Sequence, residues 1–440
     1  MTSTSVRCAC TLVIVSLSTS ATPASPERQR ESANASRAGS SQARSNSDAV
    51  VPFKIRVPDA VLTDLKQRLS RARPADEFPD AGWDYGTSRA YLDPLVAYWR
   101  DKFDWRAQER RWNQIDQFTT TIDGLDIHFI HERSTSPSAI PLLLLNGWPS
   151  SIEEYHKVIG PLSDPAAYGG RAEDAFHVII PSMPGYGFSA KPRERGYNPQ
   201  RMASLWVKLM ARLGYARYVT HGSDWGIATA THLALQDAAH MTALHLAGCP
   251  GNLVAPPTAA PPPQQVLANA GYQDIQSTKP QTLGHGLSDS PLGLASWIID
   301  KWHAWTDHDG DVEKVYTKDE LLTNIMIYWV TNSGTSSARL YYESRHVDGR
   351  LLPTFFSGFL PNLPEGRVTV PTGCGAFPRQ YDRRGLPVNT DASVARKSSE
   401  ARYNVVHATI MPKGGHFPAL EQPQLWLDDI RTFFRGRRES

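Results

Sequence analysis

The segment His221-Gly222-Ser223-Asp224-Trp225-Gly226 constrains this chain more than any other feature. Before it lies Tyr218-Val-Thr220, read as a strand. After it, Ile227 to Leu235 reads as a helix. Gly222 and Gly226 allow a tight strand-to-helix turn that projects the central side chain, Asp224. Free amides at the start of the helix favour a carboxylate there. An aspartate nucleophile attacks saturated carbon and gives an alkyl ester on the protein, which water must then hydrolyse with help from a base. Two other readings compete. Ser223 is a nucleophile by type but lies one position off the centre of the turn. Asp224 would also serve as an ordinary N-cap.

The surrounding pattern supplies a sheet for this turn to stand on. Pro141-Leu-Leu-Leu-Leu145 is a short continuous apolar run, as in a strand covered on both faces. Ile127 to Ile130, Val178-Ile-Ile180, Leu244-His-Leu246, Val368-Thr-Val370 and Val405-Val406 are further strand candidates. Met202 to Leu213 and Trp426 to Phe434 read as helices between or after them. Strands alternating with helices imply an α/β fold with a mostly parallel sheet covered on both sides. The alternation breaks between about 250 and 364, where a Pro-rich opening leads into helical, aromatic sequence. An insertion there is expected to form a lid over the C-terminal strand ends, where open parallel sheets bind ligands.

Upstream, Val61, Leu62, Leu65 and Leu69 recur at helical spacing, and so do Tyr91, Leu95, Tyr98, Trp99 and Phe103. Residues 49–118 are therefore expected to be a helical N-terminal module packed on the main domain, 119–440. Residues 1–48 hold no aromatic side chain and are rich in Ser, Ala and Arg, which argues for an unfolded leader. Arg7, the apolar run Thr11 to Leu17 and the small residues near Thr22-Pro-Ala24 resemble a weak secretory signal. Asn34-Ala-Ser36 would be a glycosylation site on that route; otherwise the chain would be cytoplasmic.

Composition narrows the partners. Lys and Arg number 46 against 44 Asp and Glu, so no charge excess points to nucleic acid. No apolar run approaches the roughly 20 residues of a membrane-spanning helix, so membrane anchoring is not expected. Four cysteines are too few to frame a chain of 440 residues with disulfides. Cys249 and Cys374 stand alone in sequence, so no zinc site or other metal is expected.

The base candidate is His416 in Lys413-Gly-Gly-His-Phe417, after the last expected strand and before the last helix. Nucleophile early and histidine last is a known chain order for such dyads. Asn146-Gly147-Trp148-Pro149 follows the Leu run, and the backbone N–H groups of Trp148 and Trp225 are candidates for an oxyanion hole. Ser182 to Ser189 reads as a glycine turn shaping the site wall. Opening a strained ring would need an acid on the departing oxygen, and a tyrosine in the lid suits that task. Tyr272 and Tyr341 lie there, with Tyr316, Tyr328 and Tyr342 as equal competitors on chemistry alone.

Taken together, these motifs resemble the microsomal-type epoxide hydrolases of the α/β-hydrolase superfamily, from about residue 50 to the C-terminus. The resemblance is carried by Pro52 to Asp59, Gly82-Trp-Asp-Tyr-Gly86, Asp104-Trp-Arg106, Gly147-Trp-Pro149, Pro184 to Ser189 and Gly222 to Gly226. In the lid, Gly271-Tyr272, Thr278 to Thr282 and Ser336 to Tyr341 add to it. It implies an α/β-hydrolase fold that converts a hydrophobic epoxide and water to a vicinal diol through an aspartyl ester, without a cofactor. It also implies Asp224 as nucleophile, His416 as base, and Tyr272 and Tyr341 on the epoxide oxygen. A homodimer is compatible with the resemblance. Three departures stand out. Asn146 replaces a histidine before Gly-Trp-Pro. The Pro-rich stretch 250–271 is short. At the charge-relay position the family has an acid and this chain has Gln380, with Asp382 and the more distant Asp391 as substitutes. A dehalogenase with the same nucleophile, and a binding protein that lost turnover, are the rival readings.

Overall fold

The computed structural model describes residues 48–248, 263–347, 350–351, 367–379 and 399–438, with backbone alone for 263–270, 347 and 350–351. The signal-like run, the Asn34 sequon, Cys249, Gln380, Asp382, Asp391 and most of the Pro-rich stretch lie outside the described residues.

Residues 47–440 form one compact unit. The chain enters through a short strand β1 (Val51–Phe53) and three helices, α1 (Asp59–Ser70), α2 (Arg89–Asp101) and α3 (Trp105–Trp112). Strands β2 (Gln117–Ile122), β3 (Leu125–Glu132) and β4 (Ile140–Leu145) follow. Then come α4 (His156–Ser163), β5 (Phe176–Pro181), α5 (Pro199–Arg212), β6 (Tyr218–Gly222), α6 (Trp225–Gln236) and β7 (Met241–Leu246). The lid holds α7 (Pro263–Thr278), α8 (Pro280–Asp289), α9 (Pro291–Trp305), α10 (Lys318–Val330) and α11 (Gly334–Arg345). A small hairpin, β8 (His346–Val347) with β9 (Arg350–Leu351), leads on to β10 (Val368–Ala376) and β11 (Tyr403–Ile410). The chain closes with α12 (Pro418–Glu421) and α13 (Pro423–Arg435).

The nine-stranded sheet runs β1-β2-β3-β5-β4-β6-β7-β10-β11. From β5 to β11 all pairs are parallel, while β1, β2 and β3 add antiparallel neighbours at one edge. Leu142, Leu143 and Leu144 of β4 are fully buried, because helices cover both faces of the parallel part. The sequence reading anticipated the parallel strands. It missed β1, which is only three residues long, and β2, whose Gln-Phe-Thr-Thr-Thr-Ile is mostly polar; the line drawn at residue 118 falls within β2.

Helix α6 is buried almost all round, which explains its small side chains and its lack of an amphipathic stripe. By contrast, α13 buries one side only, through Trp426, Leu427, Ile430, Phe433 and Phe434. Behind β6, His221 Nδ1 lies 3.0 Å from His245 Nδ1, and His245 Nε2 lies 2.9 Å from Asp429 Oδ2 on α13. This buried chain fixes the strand end that carries the turn. Cys374, read from the sequence as standing alone, is disulfide-bonded.

Several side chains fasten the lid to the rest. Asn324 of α10 donates to Pro149 O (2.8 Å) and accepts from Ser151 Oγ (2.8 Å); Tyr328 OH donates to Ser150 O (2.7 Å). On α11, Ser336 Oγ donates to Gly185 O at 2.5 Å. The N-terminal helices hold the outer side: Arg68 pairs with Asp289, Thr87 Oγ1 donates to Ser296 O, and Tyr98 OH donates to Asp319.

Candidate active site

The turn after β6 is tight for a local steric reason. A Cβ on Gly222 would come within 2.5 Å of Gly226 O, and one on Gly226 within 1.9 Å of Leu145 O. Only glycine lets the strand, the turn and the neighbouring β4 meet this closely. Between them Asp224 adopts φ 49° and ψ −122°, a strained backbone for a residue with a side chain. That conformation lifts its carboxyl away from the helix it precedes.

Two groups converge on this carboxyl. The Trp148 N–H donates to Asp224 Oδ1 at 2.8 Å. His416 Nε2 lies 3.3 Å from Asp224 Oδ2, an ion-pair contact rather than an aligned hydrogen bond. Both side chains keep a partly open face, 22% for His416 and 16% for Asp224. Burial alone would lower the His416 pKa. The Asp224 carboxylate, assisted by Glu154 and Glu421, overrides this and raises it. The Trp148–Pro149 peptide bond is cis. Trp225 follows Asp224 directly and starts α6.

Above the carboxyl stands an aromatic enclosure. Tyr272 stacks on Trp148, with ring centres 5.3 Å apart, and meets Trp305 and Tyr341 edge-on. Tyr341 stands perpendicular to Trp225 at 4.9 Å and to Trp148 at 5.8 Å. Gln273 Nε2 donates to Tyr272 OH at 2.9 Å, which orients that hydroxyl. Burial, then the neighbouring Tyr272 and Asp224, push the Tyr341 phenol well above its ordinary pKa, so it stays protonated. The other lid tyrosines are engaged elsewhere. Tyr328 OH bonds Ser150 O, Tyr316 OH accepts from Thr306 Oγ1, and Tyr342 stacks on His346.

His416 sits in a backbone frame. Its N–H donates to Trp305 O at 2.9 Å. The buried Glu421 carboxyl accepts from Gly415 N and Phe417 N (2.8 Å each) and from Asp307 N (3.1 Å). Burial pushes Glu421 up to about 7 despite these donors. The loop from Ser182 to Ser189 carries the buried Tyr186, whose phenol is pushed well up by burial and then by Tyr328, Asp224 and Tyr272. It bonds the lid through Gly185 O and through Tyr186 OH, which donates to Ser337 O. Asn146 is buried and donates to Ser150 Oγ at 3.0 Å.

Sequence reasoning passed over Glu154 and Glu421. Glu154 follows Glu153, and two adjacent carboxylates carry no sequence mark of burial. Both are buried. The usable signal was the spacing Ser150-x-x-x-Glu154, which puts a hydroxyl donor one turn ahead of the carboxyl. For Glu421 the signal was its position five residues after His416, at the first turn of the closing helices.

Comparisons with known proteins give the family. Residues 50–155 match the family model for the epoxide hydrolase N terminus, and residues 140–301 match that for the alpha/beta hydrolase fold. Over 431 residues the chain is 35% identical to epoxide hydrolase 1 of Sus scrofa, covering 90% of each protein. Its structure resembles the juvenile hormone epoxide hydrolase of the silkworm Bombyx mori, with a TM-score of 0.73 at 30% identity, over 89% of this chain and 94% of that one. The epoxide hydrolase of Aspergillus niger superposes with a TM-score of 0.71 at 27% identity, over 88% and 97% of the two chains. On its fold, its motifs and its relatives, the chain belongs to the epoxide hydrolase family, an ether-bond hydrolase built on the α/β-hydrolase fold.

Proposed function

We propose that this protein opens a hydrophobic epoxide to a vicinal diol in two steps, with Asp224 as nucleophile. Asp224 Oδ1 is held by the Trp148 N–H, which leaves Oδ2 for attack on a ring carbon. The carbon–oxygen bond breaks, and Tyr272 and Tyr341 bind the departing oxygen, one of them giving it a proton. His416 Nε2 then takes a proton from water as that water attacks the ester carbonyl carbon. The oxyanion forms on Oδ1, where the Trp148 N–H receives it, with the Trp225 N–H as second donor. Collapse releases the diol, whose oxygen takes the proton from His416, and the proton left on the Asp224 carboxyl returns to the tyrosinate. The observation that carries this reading is the Asp224 carboxyl set between the Trp148 N–H and His416 Nε2 beneath two tyrosines. The aromatic walls suit an apolar substrate.

A single turnover of styrene oxide in ¹⁸O-labelled water tests the mechanism. The label is expected in the Asp224 carboxyl and not in the first diol released. Label in the first diol would mean direct attack by water and would overturn the ester step. A companion Asp224→Asn variant is expected to form no adduct and no diol. Asp382 is proposed as the charge-relay acid in place of Gln380; Asp382→Ala should then slow ester hydrolysis well beyond Gln380→Ala, and equal rates for Asp382→Ala and the unaltered protein would reject it.

A further inference from the structure

Glu154 is a buried carboxyl with no lysine or arginine paired to it among the described residues. Its Oε2 accepts from Ser150 Oγ at 2.5 Å and its Oε1 from Ser223 Oγ at 2.9 Å. Ser150 closes the turn whose Trp148 N–H holds Asp224, and Ser223 precedes Asp224 in the chain. The two oxygens thus reach both backbone segments that support the nucleophile. A glutamine would make comparable hydrogen bonds without a buried charge, which is costly when unpaired. A carboxyl kept in this position has a use for its charge.

That use follows from what happens to Asp224. In the resting site the Asp224 carboxylate is the counter-charge to His416. Once Asp224 is esterified it is neutral, yet His416 must acquire a positive charge to activate water. We propose that Glu154 is a positioning residue whose carboxylate replaces Asp224 as the counter-charge for His416 during ester hydrolysis. This rests on the two-step reading above. Glu154 transfers no proton; it stays ionised while water gives its proton to His416 and the diol oxygen later recovers it.

The electrostatic surroundings support the assignment. Burial raises Glu154 to about 7, the two serine hydroxyls and His416 pull it down, and Asp224 pushes it up. Esterification removes the Asp224 charge and so favours the ionised Glu154. The other groups facing it are Tyr155, Tyr316 and Tyr328, all pushed well above their ordinary values and neutral. Glu421 also acts on His416, but its oxygens are committed to three backbone N–H groups, where an amide would set N–H against N–H.

Rapid-quench mass spectrometry of Glu154→Gln with styrene oxide, from pH 5 to 9, separates the two steps. Ester formation should stay within about threefold of the unaltered protein. Ester hydrolysis should slow by about tenfold or more, so that adduct accumulates, and its rising pH limb should move to lower pH as His416 loses its counter-charge. Unchanged hydrolysis, or equal slowing of both steps with an unmoved limb, would overturn the proposal and leave only a packing role. If Glu154→Gln does not fold, Ser223→Ala serves. Losing one donor raises Glu154 and so weakens its negative charge, so the limb should again move to lower pH, and an unmoved limb rejects the idea. No ester at any time in the unaltered protein would instead overturn the two-step reading, and this inference with it.

Discussion

A single hydrogen-for-methyl exchange is enough to test how tightly the nucleophile is held. A Cβ on Gly147 would lie 1.9 Å from Asp224 Oδ1, so Gly147→Ala must displace the carboxyl or the turn. Misplacement by about 1 Å costs on the order of 100-fold in rate. Gly147→Ala is therefore expected to lose about that much turnover at an unchanged urea midpoint, measured by diol release. Near-normal turnover would show that the carboxyl can yield. Tyr341→Phe should slow adduct formation by about 100-fold, the scale of a positioned general acid, and leave hydrolysis of a preformed ester alone. Equal slowing of both steps would assign Tyr341 to packing instead. Asp224 and His416 were legible in the sequence because glycines mark their turns locally. Glu154 was not, because its significance comes from Ser223, 69 residues away in the chain.

At the level of elements, strands covered on both faces announced themselves as apolar runs, and the buried β4 is the clearest. The edge strand β1 and its neighbour β2 did not, since β1 is only three residues long and β2 is mostly polar, and pairing makes them strands. Between α3 and the turn before α4, Glu153 is fully buried and accepts from Arg111 Nη2 at 2.7 Å and from Trp112 Nε1 at 2.8 Å. This bond network ties the helical module to the segment that carries the site. Removing a buried charge from such a pair leaves its partners unmatched, a loss of about 3 kcal/mol. Glu153→Ala should lower the urea unfolding free energy by that order. A change under about 1 kcal/mol would show that water reaches Arg111 and replaces the carboxylate.

Over the whole molecule, buried histidines dominate the response to acid. Burial lowers His128 to about 3, and His131, His232 and His303 to about 4. The unfolded chain binds these protons near 6.5, so the native state binds fewer and loses stability as pH falls through the window from about 6.5 to 4. Glu154 and Glu421 act the other way. Raised to about 7, they stabilise at low pH and lose that contribution as pH rises from about 4.5 to 7. Four histidines outweigh two carboxyls. Unfolding at pH 5 should take up protons, and the urea midpoint should fall between pH 7 and pH 5. A midpoint that rises on acidification would mean that the two carboxyls control the balance.

The ties on the lid carry a different kind of consequence. Asn324 and Tyr328 grip the Pro149–Ser151 backbone, Ser336 holds Gly185, and Arg68 and Thr87 secure the opposite flank. Among the described residues, this cover is bolted at several corners. If the frame holds, traffic into and out of the chamber is expected to depend on side chains stepping aside, as in a filter rather than a jaw. Its selectivity among bulky guests is then expected to follow how far the rings of Trp148, Tyr272 and Trp305 can turn.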